Sequence, residues 1–199
     1  SVTHIDNSAT GPDIRKTLFK TMNAIDTFGE LRAELILKLL NIKGDIREHI
    51  NHFRSAYNSP SRYYHSWEHI VEGFTTLFDM ACEMEISDED LAIIGGSILF
   101  HDFFYEVNKD WYSRNETMSS QEAFTYLNRF GVDMRRVSDI HDLIIETRHG
   151  RSNVSDTLTS QVSHDIDMAI LGSSESRYRQ YARDVRDEFA PIISGEAFE

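Results

Sequence analysis

The string LAIIGGSILFHD at residues 91–102 contains the longest apolar stretch of the chain. Residues 91–100 carry no charged side chain and are apolar almost all the way round a helix, rather than along one stripe. The run is too short to span a bilayer and is interrupted by two glycines, which argues against a membrane protein. The stretch therefore predicts the central, most buried helix of the domain.

Amphipathic helices are predicted before this stretch. Apolar residues recur at three- and four-residue steps over residues 13–57, with breaks at Gly29 and Gly44. Ser87 followed by Asp90 resembles a capping box, which places the start of the central helix there. Residues 1–12 are polar and show no signal-peptide pattern, so we expect a flexible N-terminal tail.

Further helices are predicted after the central one. A loop at residues 107–115 precedes two helices separated by Gly131, and a short helix at 163–172 precedes a charged one at 174–192. No segment has the pattern of a convincing β-strand, and no repeat of fixed period is present. The sequence therefore predicts an all-α fold in which residues 13–199 form a single compact helical domain.

The composition limits the kinds of partner. The chain has 199 residues, of which 40% are hydrophobic and 27% are charged, as in a single globular domain with its own core. Its formal net charge of -13 argues against binding to long nucleic acid, because such binding needs a basic face. The negative charge still permits small anionic substrates if a bound cation or an arginine cluster offsets the negative field. The composition also permits a homo-oligomer.

The single cysteine, Cys82, permits no internal disulfide, which suits a reducing compartment and makes the cytoplasm the expected location.

Two histidines stand close together in RYYHSWEHI at residues 62–70. A helix predicted from Tyr63 carries His65 and His69 four residues apart, so both imidazoles project from one face toward one reaction centre. Two half-buried helix histidines bonded to backbone or carboxylates give the same pattern, and the spacing alone does not choose between these interpretations.

The adjacent residues His101 and Asp102 follow the most apolar helix of the chain. An uncompensated carboxylate in that setting costs several kcal/mol, on the order of a buried-charge penalty, and a cation removes the cost. Adjacent ligands at the fraying end of a helix can converge on one metal ion. The alternative is a capping histidine beside a solvated aspartate.

A second pair of carboxylates, Asp165 and Asp167, is followed directly by apolar residues 168–171. One of the two carboxylates can bind a metal ion directly. The other can form a hydrogen bond to a ligating histidine ring or to a metal-bound water without binding the ion itself. The alternative is a carboxylate pair that interacts favourably with a helix dipole.

Four strings in this order resemble the HD superfamily of metal-dependent phosphohydrolases, which is named for its His-Asp doublet. The strings are Y-x-x-P-x-R-x-Y-H-x-x-x-H-I at 57–70, F-H-D at 100–102, N-E-x-x-S at 115–119 and D-x-D-M-A-I-L-G at 165–172. They are similar to a subgroup of predicted HD phosphohydrolases of about this length, and the resemblance covers residues 13–191. It implies a helical HD-type bundle whose metal site lies between central helices. The implied ligands are His69, His101, Asp102 and Asp167.

The Y-H-x-x-x-H portion is also similar to cyclic-nucleotide phosphodiesterases, which are distant relatives of that superfamily. The similarity implies that His65 protonates the leaving group while His69 binds metal. This chain lacks the nucleotide-recognition region of those enzymes, so the similarity does not make it a cyclic-nucleotide phosphodiesterase.

Four further residues are candidates for the same site. Glu116 is a candidate base, with Asn115 beside it, although a solvated carboxylate at a helix start is the alternative. Arg62 presents a fork that matches phosphate oxygens, although surface arginines are common. His149 is a candidate for substrate binding or for a second metal ion, because many HD proteins place further histidines between the doublet and the last aspartate.

The predicted function is hydrolysis of a phosphoester or phosphoanhydride by a metal-activated water. Imidazole and carboxylate ligands without a thiolate suit Mn, Fe, Co, Ni, Zn or Mg, with one or two ions per chain. The related enzymes mostly act on nucleotides, so a nucleotide is the expected substrate. Two alternatives are a nucleotide-sensing helical module without turnover and a di-iron oxygenase that needs His149 as an extra ligand.

Overall fold

The computed structural model describes residues 29–108, 114–147 and 155–193, and these ranges contain eight α-helices and no β-strand. The helices are α1 (Glu30–Leu39), α2 (Ile46–Tyr57), α3 (Trp67–Glu83), α4 (Asp88–Phe100), α5 (Asn115–Arg129), α6 (Met134–Glu146), α7 (Leu158–Met168) and α8 (Glu175–Ile193), with a 3₁₀ turn (Ala169–Gly172) between the last two. The all-α prediction is confirmed. None of these helices is both long enough and apolar enough to cross a membrane.

The central helix α4 is buried at every position of residues 91–100, as the sequence predicts. It packs against α1, α3, α6 and α7. A Cβ atom on Gly95 would lie 2.4 Å from Ile36 Cδ1 on α1, and one on Gly96 would lie 2.5 Å from Ile140 Cδ1 on α6. The two glycines therefore allow α1 and α6 to approach the backbone of α4 closely.

The ends of α4 follow from its sequence. At its start the backbone N–H of Asp90 donates to Ser87 Oγ at 3.0 Å, so the predicted cap is confirmed. Its final turn leads directly into His101, whose backbone N–H donates to the carbonyl of Ser97 at 2.8 Å. The His-Asp doublet consequently leaves the buried helix at the point where helix carbonyls lose their partners.

Glycines with positive φ separate neighbouring helices at two predicted breaks. Gly44, with φ of 102°, lies between α1 and α2, and Gly131, with φ of 71°, lies between α5 and α6. Only glycine adopts these angles without strain. Gly29 directly precedes α1, as predicted. The predicted tail over 1–12 and the first part of the predicted helical region fall outside the described residues.

The helix predicted to begin at Tyr63 begins instead at Trp67, so that prediction is wrong. The backbone N–H groups of Tyr63, Tyr64 and His65 all donate to one oxygen of Glu188, each at 2.8 Å. This tertiary acceptor holds the segment in a non-helical conformation and satisfies donors that would otherwise be bonded locally. His65 therefore precedes α3, and the helical four-residue spacing does not relate it to His69.

Candidate metal centre

The orientation of His101 is fixed by the backbone of α4. Its Nδ1 lies 2.8 Å from the carbonyl oxygen of Ile98, one turn earlier. A carbonyl only accepts, so Nδ1 carries a hydrogen and Nε2 is the nitrogen that takes up a proton or a ligand. Buried metal-binding histidines are commonly oriented in this way.

Three donor atoms converge where α3 meets the end of α4. The Nε2 atoms of His69 and His101 are 3.3 Å apart, and Asp102 Oδ2 lies 3.5 Å from the first and 2.9 Å from the second. Ligands about 2.1 Å from one ion lie roughly 3.0 to 3.5 Å from each other. These separations therefore match a shared cation, and the three side chains are only 11% to 17% exposed.

Asp167, on the last turn of α7, faces the same point. One carboxylate oxygen of Asp167 and one ring nitrogen each of His69 and His101 lie within 4.8 Å of one another. Asp102 is not a member of this group of three, but its Oδ2 lies beside both histidine Nε2 atoms, and all four residues that the sequence nominated as ligands line one cavity. The set is two imidazoles and two carboxylates, which fits a divalent first-row metal ion.

The electrostatics of this cluster reflect a buried carboxylate that needs a positive neighbour. Burial, together with the nearby His101, lowers the pKa of His69 to about 3. Burial also disfavours charge on His101, but Asp102 outweighs it and raises the pKa of His101 to about 9. Burial likewise opposes ionisation of Asp102, yet His101 holds the pKa of that carboxyl well below its usual range. A divalent cation supplies the same compensation as the proton on His101.

His65 lies beside the cluster and is held by a residue that the sequence did not nominate. Its Nδ1 is 2.6 Å from Glu188 Oε2, and its ring centroid is 5.9 Å from that of His69. The ring stacks on Tyr105 with centroids 4.2 Å apart. Because a carboxylate accepts the Nδ1 hydrogen, Nε2 of His65 is the nitrogen left for chemistry.

Glu188 is buried although it lies on the strongly charged helix α8, and its side chain is 0% exposed. Burial opposes its ionisation, but hydrogen bonds from the side chain and backbone of His65 and from the backbone of Tyr64 lower the pKa of Glu188 below its ordinary value. The residue types around Glu188 do not indicate that Glu188 is buried while the neighbouring Asp187 is exposed. The helical period of α8 is the one signal that places these neighbours on different faces.

Arg62 contacts the backbone around the site. Its guanidinium donates to the carbonyl of Asp102 at 2.6 Å, to that of Phe103 at 2.7 Å and to that of His65 at 3.1 Å. It also lies over the ring of Tyr57, 5.0 Å from its centroid. These bonds tie the segment that carries His65 to the segment that carries Asp102, so Arg62 positions two site residues through their main chain.

The N-E-x-x-S string holds the loop after the doublet. Asn115 bonds to both the N–H and the carbonyl of Glu106, each at 3.0 Å, and Ser119 Oγ bonds to both backbone groups of Phe104, each at 3.0 Å. Glu116, between them in the first turn of α5, lines the cavity beside His65. Asn115 lines the same cavity while its amide holds the loop.

Asp165 does not line either cavity at the candidate centre. Asp165 is exposed, and residues two apart on a helix point in different directions, so the turn that leaves Asp167 half-buried carries Asp165 outward. His149 lies outside the described residues.

Two cavities meet at the candidate ligands. The acid-side cavity, of 310 Å³, is lined by His65, Tyr105 and Glu116. The hydroxyl-lined cavity, of 330 Å³, lies toward α3, α4 and α7 and is lined by serine, threonine and isoleucine side chains. The linings of both cavities include His69, His101 and Asp167. A ligand at the candidate centre can therefore extend in two chemically different directions.

Comparisons with protein-family models, with curated proteins and with solved structures find no match to this chain. The resemblance to the HD superfamily therefore stays a prediction.

Proposed function

We propose that the protein is a metal-dependent phosphohydrolase whose divalent ion is held by His69, His101, Asp102 and Asp167. The observation that carries the proposal is the 3.3 Å separation of the Nε2 atoms of His69 and His101, with Asp102 Oδ2 beside both. When bound, the ion supplies a lowered pKa for a coordinated water and neutralises charge on phosphoryl oxygens. The ordered strings that resemble HD phosphohydrolases favour phosphate chemistry over other metal-dependent reactions.

The residues that line the acid-side cavity carry out the proton transfers. In the proposed hydrolysis, a bond forms between phosphorus and the oxygen of water, and the bond between phosphorus and the leaving oxygen breaks. His65 donates the proton that the leaving oxygen takes up, and Glu188 stabilises the charged imidazole and fixes its Nδ1. Glu116 lines the same cavity and accepts the proton that water loses.

A nucleotide is the proposed substrate because the enzymes that this chain resembles mostly act on nucleotides. The chain carries a formal charge of -13, so an anionic substrate needs the cation at the site to offset the repulsive field. No broad basic face is required for a small phosphate ester.

The experiment is phosphate release from a nucleotide panel by metal-free protein supplied with Mn, Fe, Co, Ni, Zn or Mg. We expect release with at least one ion, loss in Asp167→Ala, and retention in Asp165→Ala, which removes an exposed carboxylate from the same helix. Release equal in wild type and Asp167→Ala, or none with any ion, contradicts the proposal. Tight nucleotide binding without product would indicate a sensing module instead, and two irons per chain with oxygen consumption would indicate an oxygenase.

A further inference from the structure

The hydroxyl-lined cavity is less polar than its residue types indicate. Its aliphatic hydroxyls other than Ser163 donate to carbonyls of their own or neighbouring helical turns at 2.7 to 3.1 Å. These hydroxyls belong to Thr75, Thr76, Ser97, Thr147 and Ser173. Because their hydrogens are already used, they offer a ligand methyl groups and acceptor lone pairs but no donor.

Ser163 on α7 is the exception in this lining. Its Oγ is the one buried side-chain nitrogen or oxygen atom in the described ranges without a hydrogen-bond partner. Buried polar groups in native proteins are nearly always paired, and the Ser163 side chain lines the cavity, so a χ1 rotation that turns this hydroxyl toward the cavity would give it an acceptor on a bound ligand as its partner. The neighbouring wall is apolar and includes Ile98, Ile166 and Ile170.

The charges on this lining do not suit a chain of further phosphates. Among its described residues, the charged groups other than the candidate metal ligands are Glu72 and Arg177. Arg177 donates to both oxygens of Glu72, at 2.7 Å and 2.6 Å from its Nη2, so its charge is already neutralised. A second phosphate in this cavity would meet no unpaired cation in the described lining.

We infer that the hydroxyl-lined cavity receives the body of the leaving group of a phosphomonoester, and that this body is uncharged, largely apolar and ring-like, with an acceptor for Ser163. The ester oxygen itself stays at the candidate centre, whose residues His69, His101 and Asp167 line both cavities, so that His65 in the acid-side cavity can protonate it. A cavity of 330 Å³ accommodates an aromatic or heteroaromatic ring, and burial of a ring against isoleucines is favourable. The assignment as a leaving group rests on the proposed function. The proposed function includes both phosphomonoesters of neutral alcohols and polyphosphates as substrates. The inference selects the monoesters and excludes the polyphosphates.

The test measures binding without turnover. Isothermal titration calorimetry compares three non-hydrolysable probes, phenylphosphonate, methylphosphonate and methylenediphosphonate, on protein loaded with the divalent ion it binds most tightly. We expect wild type to bind phenylphosphonate at least about tenfold more tightly than either other probe.

Three variants test whether the preference for phenylphosphonate arises in the hydroxyl-lined cavity. Ser163→Leu fills the cavity from α7 and should remove the preference, while Gln161→Leu adds the same side chain on the exposed face of the same helix and should keep it. Thr76→Leu fills the cavity from α3 and provides a second reading if circular dichroism shows that Ser163→Leu is unfolded.

The outcomes separate this inference from the proposed function. Equal binding of the three probes to wild type, or a preference that persists in folded Ser163→Leu or Thr76→Leu, overturns the inference. Phosphate release from phenyl phosphate is measured on the same samples. If wild type prefers phenylphosphonate but releases no phosphate, the inference about the cavity stands and the proposed hydrolase function is overturned. If wild type releases phosphate but shows no preference, the hydrolase function stands and the inference about the cavity is overturned.

Discussion

Glu188 Oε2 on α8 accepts a 2.6 Å hydrogen bond from Nδ1 of His65, which lies 123 residues earlier in the chain. The other oxygen of Glu188 accepts three backbone N–H groups, including that of His65 itself. One carboxylate therefore fixes both the ring and the main chain of the proposed acid. This relationship explains how a histidine outside the helix α3 can be held beside His69.

Replacement of the acid should lower turnover and leave metal binding intact. We expect His65→Ala to reduce kcat about 100-fold, since positioned general acids contribute roughly that much or more. Glu188→Gln should reduce kcat about tenfold with little change in KM, because the ring loses its charged acceptor. Steady-state kinetics measures both. Asp187→Asn is the matched control on the exposed face of α8, and an equal loss in that variant would contradict the positioning role.

Glu188 should also make stability depend on pH. Its pKa is lowered in the folded state, so its contribution is present above its ordinary value of 4.5 and is lost as pH falls toward the folded value. Glu188→Gln should therefore destabilise the protein by about 1–3 kcal/mol near neutral pH, and the difference should shrink below pH 4.5. Urea unfolding of both proteins across this range checks the sign. A difference that grows in acid would show that the carboxylate is not stabilised by its partners.

Arg62 should behave as a structural clamp. Arg62→Lys loses the fork that joins three carbonyls, and we expect a loss of about 1–3 kcal/mol in the free energy of unfolding. Thermal unfolding with calorimetric detection measures it. The matched control is Arg54→Lys, because Arg54 is exposed and bonds to side chains of Glu30 and Asn51. A rise in KM with unchanged stability would instead indicate that Arg62 grips the phosphate.

Because α6 packs closely against the backbone of α4, substitutions of Gly96 and Gly172 should change the free energy of unfolding by different amounts. Gly96→Ala places a Cβ 2.5 Å from Ile140 Cδ1, so we expect a loss of about 1–3 kcal/mol from overpacking. A Cβ on Gly172 would meet no atom within 4 Å, so Gly172→Ala should be tolerated. Chemical denaturation of the two variants gives the comparison. Equal stability of the two would contradict the packing described for the central helix.

The sequence predicted those parts of the fold that depend on local pattern. The apolar run at 91–100 predicted the central helix, and Ser87, Gly44 and Gly131 marked its cap and two chain reversals. The order of the strings also nominated His69, His101, Asp102 and Asp167, which line one cavity. For the central helix, its cap and the two chain reversals, the information lies within a few residues along the chain.

Features that depend on distant contacts were not predicted from the sequence. The start of α3 at Trp67 and the burial of Glu188 both follow from hydrogen bonds between segments more than a hundred residues apart. The different environments of Asp165 and Asp167 depend on the direction in which α7 faces the site, which the spacing of two carboxylates does not specify. The role of Arg62 depends on the backbone carbonyls of His65, Asp102 and Phe103, which lie outside the helices in two separate segments.

The most direct test of the metal centre is an anomalous-difference map from crystals grown with Mn²⁺. We expect a peak bonded to the Nε2 atoms of His69 and His101 and to carboxylate oxygens of Asp102 and Asp167, at about 2.0 to 2.2 Å. A map without a peak at these four residues, in crystals of folded protein with excess Mn²⁺, would contradict the proposed metal centre.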